Sequence, residues 1–96
     1  MTKEKAIEIA TKYISDRKRT CDRIVDDPVH FESNKEISYG KYKETLRNAW
    51  TVSYEVDWID GPMDFFVVVD DKTEEVLYTI TQSGYAEDWE EDRTEQ

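Results

Sequence analysis

The chain has 96 residues, 13 Lys and Arg against 23 Asp and Glu, and a formal charge of −10 with its single histidine, His30, neutral. That length fits one compact domain rather than a multidomain enzyme, and 38% hydrophobic residues are just enough for one modest core. The excess of negative charge argues against neutralising nucleic-acid phosphates, and no apolar run approaches the ~20 residues of a membrane-spanning helix.

The N-terminus, Met1-Thr2-Lys3-Glu4-Lys5, is charged and leads into no signal-like apolar stretch, which predicts a soluble cytoplasmic protein. Residues 2–18 place Ala6, Ile7, Ala10, Tyr13 and Ile14 at helical spacing, an amphipathic helix with Thr2 as N-cap and Glu8 set to pair with Lys12. The helix ends before Pro28, within the basic stretch 17–23, where Arg17, Lys18 and Arg19 suit the negative end of the helix dipole. Val29-His30-Phe31-Glu32 alternates like a short strand. Between Ser33 and Arg47, Ile37, Tyr39 and Tyr42 either anchor a long loop on the core or belong to a further strand over 37–43.

From Trp50 the period is strictly two. Trp50, Val52, Tyr54, Val56 and Trp58 alternate with Thr51, Ser53, Glu55 and Asp57, giving one aromatic and β-branched face and one polar, acidic face. Asp60-Gly61-Pro62 is a turn, and Asp64–Asp70 returns as a strand apolar on both faces. Residues 70–75 form the next turn, and residues 76–81 the last strand, with Val76, Tyr78 and Ile80 on one side. The fold class is therefore α+β, one N-terminal helix packed on a three- to four-stranded antiparallel meander, its Ile7/Ala10/Ile14 stripe across the Trp50–Val56 face. Residues 1–86 form the domain, and 87–96, with six acids, one base and Trp89, an acidic, flexible tail.

The helix pattern A-I-E-I-A-x-x-Y-I, the strand Trp50-Thr51-Val52-Ser53-Tyr54-Glu55-Val56 and the run from Phe66 to Leu77 resemble small bacterial domains of the immunity-protein (YrhB-like) and PepSY-like families. The likeness covers about half the chain, residues 3–14 and 48–82. It implies a small cytoplasmic protein without chemistry of its own: a cognate inhibitor of a secreted toxin, or an inhibitory or chaperone-like module. One position departs from the pattern, because Glu74 stands where such families carry Gly in the turn, and Glu does not readily adopt positive φ.

No catalytic constellation emerges. Cys21 cannot close an intramolecular disulfide, and with His30 it gives too few soft ligands for zinc. Cys21 lies among basic residues and His30 among acidic ones, yet neither has a triad partner, so both read as structural. Asp57, Asp60 and Asp64 lack the register of a calcium loop and read as a hydrated turn, so no metal or cofactor is expected. The chain reads instead as a non-enzymatic binding protein whose Glu55, Asp57, Asp60, Asp64 and Trp89 hold a basic partner protein such as a toxin. The alternative is a self-associating or chaperone-like module, a homodimer covering the second apolar face of residues 64–70.

Overall fold

The computed structural model describes residues 1–38, 42–81 and 86–87. Helix α1 spans Lys3–Asp16, capped by the Thr2 hydroxyl, which accepts the Lys5 N–H at 3.1 Å. Its buried positions Ala6, Ala10 and Ile14 recur every four residues, with Ile7 and Ile9 partly covered at the flanks. Lys18 follows in the left-handed region at φ 55°, while the Arg19 and Lys18 N–H groups bond the Ile14 and Ser15 carbonyls. This pair of bonds closes the helix, and Arg17, Lys18 and Arg19 lie just past its end. Lys12 pairs with Asp16 at 2.7 Å, so the expected Glu8 partnership gives way to the next turn.

Five strands follow: β1 (Arg23–Glu36), β2 (Leu46–Trp58), β3 (Gly61–Asp70), β4 (Val76–Ile80) and β5 (Ala86–Glu87). They pair in chain order as one antiparallel sheet, and with the helix on one face the fold is α+β. β1 is far longer than Val29–Glu32 because register shifts between Val25 and His30 and between Glu32 and Lys35 absorb the interruptions. Pro28 offers no ladder N–H, and Asn34 sits at φ 55° with its own N–H turned to the Asn48 side chain. The chain then turns at Ile37, whose N–H and carbonyl bond Thr45 and Glu44, so the described part of 37–43 is a connection.

Two apolar clusters sandwich the sheet. On the helix side Ala6, Ala10 and Ile14 pack with Val52, Tyr54, Val67 and Val69, the arrangement expected from the two periodicities. On the reverse side Val68 is fully buried with Ile37, Ala49, Leu77 and Tyr78. The chain itself thus covers both faces of β3 at Val67, Val68 and Val69. Between Val68↔Tyr78 and Val69↔Val76 the ladder accommodates Leu77 as an extra residue. That bulge sends Val76 to the helix side and Tyr78 and Ile80 to the reverse, correcting the expectation that all three share one face.

The β3–β4 turn is built on Asp70, 1% exposed, whose carboxylate accepts the N–H groups of Lys72 (3.1 Å) and Thr73 (2.7 Å) and two bonds from Arg47. Arg47 lies over the Tyr42 ring, 4.0 Å from its centroid. Burial pushes the Asp70 carboxyl up, but the bonds from Arg47 and Thr73 outweigh it and hold the group below the usual carboxylate range. Glu74 closes this turn at φ 62°, a glycine-like conformation held by a glutamate. Glu87, expected to open the tail, pairs with Thr79 in β5; residues 88–96, Trp89 included, lie outside the described residues.

Candidate functional site

Element lengths create the site. The thirteen extended residues of β2 outreach the fourteen helical residues of α1, because a strand rises about 3.3 Å per residue and a helix about 1.5 Å. The helix therefore roofs only part of the sheet. At the same end β1 joins the ladder no earlier than Arg23↔Glu55, and β4 leaves it at Ile80↔Phe66. Residues 56–65 consequently extend beyond the β1 and β4 ladders as a two-stranded arm, closed by a turn in which Gly61 adopts φ 119°.

The arm has two unlike faces. Toward the helix side stand Val56, Trp58, Met63 and Phe65, which with Tyr54, Arg19 and Thr20 line a groove of about 480 Å³. Tyr54 forms its floor, 1% exposed, stacked on Phe65 with centroids 5.4 Å apart, its hydroxyl accepting the Arg19 Nε–H at 3.0 Å. At the tip Trp58 is 62% and Ile59 93% exposed. The 50–58 face is thus buried at Val52 and Tyr54 but leaves the helix's cover at Trp58, where the sequence pattern predicts a core residue.

On the reverse face lie Glu55, Asp57 and Asp64, with Glu55 opposite Asp64 in the ladder and Asp60 exposed in the turn. Arg23 bonds both Glu55 (2.9 Å) and Asp57 (2.6 Å), and Asp57 donates its N–H to the Asp22 carboxylate at 2.7 Å. The Arg23 hydrogen bond, with its charge, holds the Asp57 carboxyl below the ordinary range. The structure therefore gathers three of the five expected contact residues on one face and Asp60 at its end, with one guanidinium offsetting part of their charge. Among the described residues no three His, Cys, Asp or Glu side chains group as a metal site.

The β3 edge of the arm, which no strand among the described residues covers, resists strand pairing. Because Asp71 donates its N–H to the Asn48 carbonyl and Asp70 donates to Glu75 across the next gap, alternation turns the backbone of Pro62 and Asp64 away from β2. Proline supplies no N–H there, and Asp64 adds a charge, two devices that discourage an added strand. Contact then falls to the faces.

The Cys21 thiol is not activated as a nucleophile. Burial, aided by Asp22, pushes the half-buried Cys21 thiol up against an opposing backbone bond, the opposite of a nucleophilic thiolate. His30 is exposed on β1, in register with Thr51. Among the described residues no helix is long and apolar enough to cross a membrane.

The groove residues Arg19, Thr20, Val56, Trp58, Met63 and Phe65, and Ile59 at the tip, are absent from the contact set read in the sequence. Two signals mark them: an isoleucine in a two-residue turn, and the stretch Asn48–Asp71, which holds Glu55, Asp57, Asp60, Asp64, Asp70 and Asp71 and no Lys or Arg. Comparison of the chain with family models, curated proteins and solved structures finds no match.

Proposed function

We propose that the chain is a non-catalytic, acidic, cytoplasmic binding domain of the immunity or inhibitor type, whose projecting β2–β3 arm holds a basic partner protein. The observation that carries this reading is the exposure of Trp58 and Ile59 at the tip of an arm without Lys or Arg. Solvent-facing aromatic and aliphatic side chains on a protruding element are the residue types that anchor protein interfaces. The surrounding carboxylates, Asp60 above all, supply the field that speeds capture of a cationic surface and weakens as salt rises. A nuclease-like toxin domain, cationic in order to hold phosphate, is one partner of that chemistry.

The test is titration of the purified protein with the product of the adjacent reading frame, or another basic protein that co-purifies with it, at two salt concentrations. Binding should weaken with salt and fall at least tenfold for Asp57→Lys combined with Asp60→Lys. Salt-independent binding that the double reversal leaves intact contradicts the reading.

A further inference from the structure

The groove on the helix-side face of the arm allows a statement about the partner's chemistry, resting on the binding reading above. We propose that it is a socket for a cationic segment carrying an aliphatic or aromatic anchor. The anchor enters between Val56, Met63 and Phe65 over the Tyr54 floor, and the neighbouring Lys or Arg lies against the Trp58 indole beside Asp60.

Three observations support that occupant and its direction. First, the lining is apolar except at its inner end, where Arg19 donates to the Tyr54 hydroxyl beside Thr20, so an apolar group is favoured inside and a second cation there is not. About 480 Å³ is within the range of clefts that bind small ligands or single anchoring side chains. Second, charge complementarity places the cation outward: the tip carries Asp60 and an indole 62% exposed, and the aromatic face attracts a cation. Third, Pro62 and Asp64 stand on the outer edge of β3 and discourage an added strand, so the segment lies on the face of the arm rather than extending the sheet.

The experiment is a ¹⁵N–¹H NMR titration of the full chain with three capped tetrapeptides, Arg-Leu-Leu-Arg, Arg-Ser-Ser-Arg and Glu-Leu-Leu-Glu, repeated on Trp58→Ala. The leucine-containing basic peptide should move the amides of Val56, Met63 and Phe65 and the Trp58 indole N–H. It should bind at least fivefold more tightly than the serine version, Trp58→Ala should weaken both basic peptides, and the acidic peptide should produce no shifts. Equal affinity of the two basic peptides overturns the socket and leaves the acidic binding reading standing. Tight binding of the acidic peptide overturns the proposed direction, assigning Arg19 to an anion. Failure of both basic peptides to bind overturns both.

Discussion

Replacing Asp70 by Asn removes the charge at the centre of the β3–β4 turn while keeping the side chain's shape. With its oxygen in the place of Oδ2 the amide can still accept both turn N–H groups, of Lys72 and Thr73, but its NH₂ then faces the Arg47 Nε–H, so that bond and the charge assistance of the remaining ones are lost. Breaking a buried ion pair costs about 3–5 kcal/mol when the remaining charge is stranded. Arg47 is a fifth exposed and rests on the Tyr42 ring, so it is only partly stranded, and about 2–3 kcal/mol is expected. Urea unfolding at pH 7 should show that loss, equivalent to a fall in Tm of about 8–24 °C for a domain of this size.

The pH dependence carries the sharper test. Because the folded state holds Asp70 below its unfolded value of about 3.9, its contribution is fully present above that value. It is lost as pH falls through the depressed folded value. The stability gap between wild type and Asp70→Asn should therefore stay constant from pH 7 to 5 and narrow below pH 4. A gap at pH 3 as wide as at pH 7, or a loss under 0.5 kcal/mol at neutral pH, refutes the role assigned to this carboxylate.

Glu74→Gly should stabilise the protein by about 0.5–1 kcal/mol in the same urea assay, since glycine occupies φ 62° without the steric penalty of a side chain. Tyr54→Phe should cost about 1 kcal/mol, the net value of the hydrogen bond from Arg19, with the Phe65 stack intact. Tyr54→Ala should cost about 3–5 kcal/mol, because it also empties the floor of the helix-side core.

Much of the frame is legible because a single physical cause writes it. Alternation from Trp50 to Trp58 is the signature of a strand with one covered face, and Thr2 with the Ala6/Ala10/Ile14 repeat marks a capped helix facing it. What escapes depends on one-residue insertions or on comparing elements. β1 hides behind Pro28 and the Asn34 kink, where bulges let pairing resume beyond residues that look like loop. Leu77 reverses the sides of Tyr78 and Ile80, because one extra residue inverts a period of two. The polar start of β2, Leu46 to Asn48, carries no alternation, since Arg47 serves the Asp70 turn rather than a hydrophobic face. The groove is written in no local pattern: it follows from a helix too short for its sheet, and Trp58 shares the periodicity of buried Tyr54 while standing past the helix's end.

The proposed function requires the arm tip to be a binding surface rather than a leftover of the fold. The most direct measurement compares wild type with Trp58→Ala combined with Ile59→Ser, in affinity for the basic partner and in Tm. At 62% and 93% exposure these side chains add little to stability, so Tm should shift by no more than a few degrees. The affinity should fall at least tenfold, chiefly through faster dissociation. Unchanged affinity, or a loss that merely follows a collapse in Tm, would contradict the account.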